Sequence, residues 1–332
     1  MYLCRVNNPL AKDIFNLKNL QDFETKALEV FAFQAEHNRV YQEFIKHLGI
    51  DSSSIHSLEQ IPFLPISFFK SHAVVSGAAP ASITFSSSGT TGSQTSKHLV
   101  SDLSLYENSF LNAFRLFYGD ISEYTLLALL PSYAEREGSS LIYMVDHLIA
   151  KAQAGSGYYL YNHQELAHHL NQLKAAKKKV ILIGVTYALL DFAEQFQIHF
   201  PELIVMETGG MKGKRREIVR EELHETLCKG FGVEQIHSEY GMTELLSQAY
   251  SKGNGIFECP PWMHIQIRDT NDPLQLVAQG KTGGINVIDL ANIYSCAFIA
   301  TQDLGRINKD GRFEVLGRFD HSDVRGCNLM VQ

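Results

Sequence analysis

Three clusters in this chain group side chains and glycines whose chemistry could serve a ligand. The first is Ser86-Ser87-Ser88-Gly89-Thr90-Thr91-Gly92-Ser93. Glycine reaches backbone angles that other residues resist, so successive N–H groups can point into one concavity, and the hydroxyls add donors. Such a loop suits a polyphosphate. It is not the GxxxxGK[ST] nucleotide loop, because no Lys-Ser/Thr follows the second glycine. Lys97 lies just beyond, a point charge within reach of a phosphate. A serine-rich surface loop is the plainer alternative.

The second cluster is His237-Ser238-Glu239-Tyr240-Gly241-Met242-Thr243-Glu244, beginning at a predicted strand end. Tyr240 offers a flat face for a base, Thr243 a hydroxyl, and Glu244 a hard oxygen ligand suited to Mg²⁺. The competing reading is a strand-to-helix turn in which Glu244 caps the following helix. The third cluster runs from Thr301-Gln302-Asp303-Leu304-Gly305-Arg306 to Leu316-Gly317-Arg318-Phe319-Asp320. Asp303 can accept two hydrogen bonds from a ribose diol, and Arg318 can donate to ribose or phosphate oxygens. Asp310-Gly311 between them and Gly317-Arg318 are also ordinary hairpin residues.

The elements that must position these clusters follow from periodicity. Residues 10–49 read as a helix or helix pair with one buried face, and the two prolines of Ile61-Pro62-Phe63-Leu64-Pro65 force an extended linker. A strand near 83–85 leads into the Ser/Gly loop, which is expected to precede a helix over 103–118. Strands are predicted at 125–130, 157–160, 179–183, 203–207 and 233–237, alternating with helices near 140–152, 163–177, 186–198 and 214–229. Alternation of this kind indicates a mostly parallel sheet covered on both faces, with ligands beyond the strand carboxyl ends. Past residue 255 short strands replace it, near 257–259, 264–268, 275–278, 284–289, 297–301 and 312–316. The expected fold is therefore α/β, layered open sheets with flanking helices. Residues 1–255 form the helical N-terminus and core, and 256–332 a small β-rich subdomain and tail.

Composition is that of a globular protein: 332 residues, 45% hydrophobic, 20% charged. A formal net charge of −7 gives no basic surface for nucleic acid. Cys4, Cys228, Cys259, Cys296 and Cys327 show no CxxC spacing, which argues against a disulfide framework and for a cytoplasmic setting. No signal peptide is visible, and no apolar run is long enough to span a bilayer. Cys259 and His264 are too few ligands for a zinc site.

The clusters also stand in a telling order. SSSGTTG, then the turn Glu207-Thr208-Gly209-Gly210, then YGMTE, DLG and LGRxD resembles the acyl-adenylate-forming superfamily of acyl-CoA synthetases, non-ribosomal adenylation domains and firefly luciferase. Ile61–Lys70, Pro131–Met144 and Arg325-Gly326-Cys327-Asn328-Leu329 narrow the resemblance to the acyl-protein synthetase (LuxE-type) family, over roughly residues 55–332.

That resemblance implies roles. Ser87, Ser88, Gly89, Thr90, Thr91 and Gly92 would hold the β- and γ-phosphates of ATP. Tyr240 would lie on the adenine, Thr243 would touch the α-phosphate and Glu244 would bind Mg²⁺. Asp303 would hold the ribose hydroxyls with help from Arg318. Gly209 and Gly210 would form the turn beside the adenine and the acyl pocket. Cys327 would carry the acyl group, a fatty acyl, as a thioester for a partner reductase or acyltransferase. The superfamily's mobile C-terminal domain and its lysine are missing from their usual place, leaving Lys70, Lys97, Lys212 or a partner as candidate substitutes. His98, Tyr133, Glu135 and Arg136 are candidates for the acyl pocket. Two rival readings follow: a CoA ligase of the phenylacetate type, and a non-catalytic nucleotide-binding subunit.

Overall fold

The structure, a computed structural model, describes residues 9–87, 94–132, 135–209 and 218–319. The chain opens with a helix pair, α1 (Leu20–His37) and α2 (Arg39–His47). Phe23, Ala27, Val30, Phe31 and Gln34 recur at helical spacing and form the buried face of α1. Asn38 breaks the helix in an extended conformation, and its side chain caps α2 by accepting from the Tyr41 amide. The extended linker then forms β1 (Leu64–Pro65), followed by the short α3 (Phe68–Ser71). Phe31, Tyr41 and Phe63 all pack around Phe298, with ring centroids 6.0–6.3 Å away. Each such buried aromatic stabilises the fold by about 1.5–3 kcal/mol.

Next come β2 (Ile83–Ser86), β3 (Lys97–Val100) and α4 (Leu103–Tyr118). The alternating units follow: β4 (Tyr124–Leu129), α5 (Ser140–Lys151), β5 (Gly157–Tyr158), α6 (His163–Ala175), β6 (Lys179–Gly184), α7 (Thr186–Gln195), β7 (Ile204–Glu207), α8 (Arg220–Phe231) and β8 (His237–Tyr240). The remaining strands are β9 (Ala249–Ser251), β10 (Ile256–Glu258), β11 (Met263–Arg268), β12 (Gly283–Asp289), β13 (Phe298–Ile307) and β14 (Phe313–Arg318).

A 12-stranded sheet runs in the order β11-β12-β13-β14-β10-β9-β8-β7-β6-β4-β5, with β1 added in parallel beside β13. From β5 to β8 all pairings are parallel, and from β8 onward they are antiparallel. The central parallel strands β4 and β6 are mostly hydrophobic, as strands covered on both faces must be; Val180, Ile181, Leu182 and Ile183 are all at most 3% exposed. The chain passes residue 255 between β9 and β10, which are hydrogen-bonded neighbours in this sheet.

Several expectations shift. The chain does not lead straight from the Ser/Gly segment into a helix: β3 intervenes and pairs antiparallel with β2 in a separate two-stranded sheet. The strand expected at 233–237 forms at His237–Tyr240, because Gly232 in a left-handed conformation ends α8 and Val233 folds back onto Cys228. Residues 275–278 make only an isolated bridge, Arg268 to Leu276. Of the helix predicted at 214–229, the described part begins at Arg220, and residues 214–217 lie outside the described residues.

Candidate active site

The parallel strands β4, β6, β7 and β8 end on the same side, and the residues just past their ends enclose one cavity of about 150 Å³. Arg136, Ser139 and Ser140 come from the segment after β4, Val185 follows β6, Thr208 and Gly209 follow β7, and Gly241, Met242 and Thr243 follow β8. Ser86 enters from the hairpin. A cavity at the carboxyl edge of a parallel sheet is where ligands of such folds sit.

The β2–β3 pair is joined at its end by Ser87 and Ser96. The Ser87 amide donates to the Ser96 carbonyl at 3.1 Å, and the Ser96 amide donates to Ser87 Oγ at 2.9 Å. Ser88, Gly89, Thr90, Thr91 and Gly92 lie outside the described residues, as do Gly210, Lys212, Tyr133 and Cys327.

Tyr240, Asp303 and Arg318 come together. Tyr240 Oη donates to Asp303 Oδ2 at 2.8 Å, and Arg318 Nε donates to Asp303 Oδ1 at 3.0 Å. Asp303 and Arg318 are cross-strand partners of β13 and β14, so their pairing is fixed by register. The Asp303 amide also donates to Thr301 Oγ1, and Arg268 braces the strand from behind by donating to the carbonyls of Ile285 and Thr301. The Tyr240 ring is packed edge-on by Phe257 and Phe313, at 5.9 and 5.6 Å. Burial pushes its phenol well up, and the Asp303 carboxylate adds to that.

Glu244 lies in the same neighbourhood. Burial raises its pKa, while a hydrogen bond from Ser96 and the charges of Arg318 and Lys70 pull the other way. No helix follows it, so it caps none; residues 241–248 turn instead into β9. Two side chains hold this turn by its backbone. His98 Nδ1 lies 2.8 Å from the Thr243 carbonyl, and a carbonyl only accepts, so the ring donates from Nδ1. Asn292 Nδ2 donates to the Glu244 carbonyl at 2.7 Å. Burial lowers His98 to about 4, which keeps it neutral. Thus Ser96 links the loop base to Glu244, Arg318 links Glu244 to Asp303, and Asp303 links to Tyr240.

Gly209 takes a left-handed φ of 73°, which favours glycine. Its amide donates to Glu207 Oε2 at 2.7 Å, so the buried Glu207 carboxylate fixes the turn. Burial raises the Glu207 pKa, but His224, Arg220, Ser238 and the Gly209 amide together outweigh it and bring it below the usual carboxylate range. Glu239 has the opposite fate. Burial first, and then the charge of Glu207, push it to about 8.

Glu239 and Gln248 line the cavity and carry no expectation from the sequence. The available signal was a glutamate inside a strand that the parallel core buries. Of the candidates for an acyl pocket, Arg136 lines the cavity, Glu135 turns back to bind Ser132, and His98 lies behind Thr243. Cys259 is raised by burial, and the His264 ring lies 5.5 Å from Phe23. No group of three or more His, Cys, Asp or Glu suited to a metal occurs among the described residues. Among them no helix is long and apolar enough to cross a membrane.

Residues 139–332 match the family described as acyl-protein synthetase, LuxE. The chain is 24% identical over 330 aligned residues to a long-chain-fatty-acid–luciferin-component ligase of Aliivibrio fischeri, covering 91% of this chain and 86% of that protein. Among solved structures it is similar to 2-hydroxyisobutyryl-CoA ligase in the postadenylation state, with a TM-score of 0.68 and 12% identity over 96% of this chain and 72% of that one. It is also similar to ATP-bound MatB from Rhodopseudomonas palustris, with a TM-score of 0.52 and 18% identity over 71% and 47%. At these identities the structural likeness establishes the fold, that of adenylate-forming ligases, and the family match supplies the rest: the chain belongs to the LuxE family of acyl-protein synthetases.

Proposed function

We propose that this protein activates a fatty acid with ATP to give an acyl-adenylate and pyrophosphate, then moves the acyl group to Cys327 as a thioester for a partner reductase or acyltransferase. A free carboxylate is a poor acyl donor because its leaving group would be oxide. Attack of the carboxylate on the α-phosphorus of ATP expels pyrophosphate and leaves AMP as a competent leaving group. Attack of the Cys327 thiolate on the acyl carbon then releases AMP.

The observation that carries this reading is the convergence of Tyr240, Glu244, Asp303 and Arg318 beside a cavity at the strand carboxyl ends. In this reading Asp303 and Arg318 receive the ribose, and Tyr240, locked by its phenol, forms the wall for the base. Thr243, its carbonyl held by His98, presents its hydroxyl toward the α-phosphate. Ser87 through Gly92, Gly209 and Gly210 complete the nucleotide cradle.

Glu244 fits a magnesium role. It is a single buried carboxyl whose ionisation burial opposes, and Mg²⁺ commonly takes one or two carboxylates plus substrate phosphates. Glu244 would hold the ion, whose charge when bound would offset that of the phosphates.

The test is ATP–pyrophosphate exchange over a panel of acids, beside acyl-labelling of the full chain and of Cys327→Ser. Exchange retained with labelling lost is the expected result. Labelling that survives Cys327→Ser would remove the thioester step, and absence of exchange with every acid would remove the adenylation step.

A further inference from the structure

The cavity has a polar end that the proposed chemistry leaves unused. Gln248 is 4% exposed, lines the cavity, and its Oε1 has no hydrogen-bond partner among the described residues. Glu239, 8% exposed, lines the same cavity. The two are adjacent. A Cβ built on Gly241 would lie 2.5 Å from Glu239 Oε1 and 3.3 Å from Gln248 Cγ, so both side chains flank the space that this glycine leaves open. Tyr106, Leu141, Met144, Val185 and Met242 give the cavity apolar surface.

A buried amide oxygen without a donor is costly, by about 1–3 kcal/mol, and native proteins keep few of them. Gln248 lines the cavity, so a ligand seated there can supply the missing donor. We propose that Gln248 and Glu239 select an acid carrying a hydroxyl near its carboxyl end, with the hydroxyl donating to Gln248 Oε1 and accepting from the Glu239 carboxyl. Glu239 is protonated at neutral pH by its burial and by Glu207, which equips it to donate. Arg136 gives the same cavity a cation for the acid's carboxylate. An ammonium substituent would instead call for an ionised Glu239. This inference rests on the proposed adenylation and names the class of acid within it.

The experiment compares saturated acids with their 2-hydroxy, 3-hydroxy and 2-amino counterparts of equal chain length. ATP–pyrophosphate exchange and calorimetric binding are both measured on the full chain. A hydroxy acid should exceed its parent in kcat/KM by about 10²-fold, mostly through KM, because a site built for a hydroxyl is left with unpaired groups by the parent. Gln248→Leu and Glu239→Leu should collapse that ratio toward one, and Glu239→Gln, which still donates and accepts, should keep most of it. ATP binding by the variants certifies their fold. A wild-type ratio at or below one in both measurements, or a preference for the amino acid, overturns the inference. Preferential binding of a hydroxy acid with no exchange from any acid upholds it and overturns the adenylation reading instead.

Discussion

Strand β8 divides two regions that give a buried carboxyl very different partners. On one side Tyr240 reaches Asp303, which is 5% exposed and held by a phenol, a guanidinium and the register of β13 against β14. On the other side Glu239, 8% exposed, has Glu207 as its charged neighbour and rises to about 8. Consecutive residues of a strand point to opposite faces, so adjoining positions in sequence belong to different environments. Glu207 sharpens the lesson. It is buried as deeply as Glu239, yet Arg220, His224, Ser238 and a backbone amide overcome the burial and keep it ionised. Partners, more than depth, set Glu207 and Glu239 apart in charge.

The strongest way to break the contrast is Asp303→Ala. It strips two charge-assisted or buried hydrogen bonds at once, from Tyr240 and Arg318. At about 1.5–3 kcal/mol each, their loss should lower exchange by at least about 10²-fold, seen chiefly in kcat/KM for ATP. Retention of near wild-type exchange would remove Asp303 from the nucleotide wall.

A second test titrates the other side. Glu239 stands at about 8 when folded against about 4.3 in an unfolded chain. Between those limits the folded state keeps a proton that the unfolded state has released, so stability falls as pH rises from about 4.3 to about 8. Glu239→Gln should flatten that fall by as much as about 1.4 kcal/mol per pH unit, read from urea midpoints across pH. Parallel curves for the two proteins would show that Glu239 is not held protonated.

His98 works in the reverse sense. Its folded value of about 4 lies below the unfolded value of about 6.5, so its contribution grows as pH rises between them and is lost toward pH 4. His98→Ala should cost about 2–4 kcal/mol through the cavity and the orphaned Thr243 carbonyl. Exchange should fall with it, whereas a change in stability alone would separate His98 from the site. At the small end, Arg306→Ala breaks an exposed pair with Glu314 on the same hairpin that carries Arg318. It should alter stability by under about 1 kcal/mol, measured by thermal unfolding, with exchange unaffected.

Much of this frame was legible in the sequence, for physical reasons visible in particular elements. The helix over 103–118 emerges with the expected bounds because Leu105, Phe110, Phe114 and Phe117 repeat at helical spacing and Asp102 caps its start. Strands β4, β6 and β7 were readable as apolar runs between turn residues. Strand β3 was missed because Lys97-His98-Leu99-Val100 is short and mixed, and its pairing with Ile83–Ser86 spans a loop whose composition dominates the segment. Tyr240, Glu244, Asp303 and Arg318 were grouped by type and order, and the fold brings Tyr240, Asp303 and Arg318 into direct contact. Glu239, Gln248 and Asn292 were not so grouped, since their importance comes from neighbours far away in the chain. Glu207 was read for the glycine turn beside it, while the carboxylate that fixes that turn passed unnoticed.

The N-terminal helices have a further consequence. Gln34 donates to the carbonyls of Asn292, Ile293 and Ser295 and accepts from the Ala297 amide, while Asn38 donates to Ser295. Asn292 in turn grips Glu244. A trimmed chain beginning after these helices would still contain every recognisable motif, yet the segment that steadies Glu244 would be left with unpaired carbonyls at Asn292, Ile293 and Ser295 and an unpaired Ala297 amide. The part of the molecule with the least family signature is thus a scaffold the chemistry leans on, and the smallest working unit of this enzyme is larger than its motifs suggest.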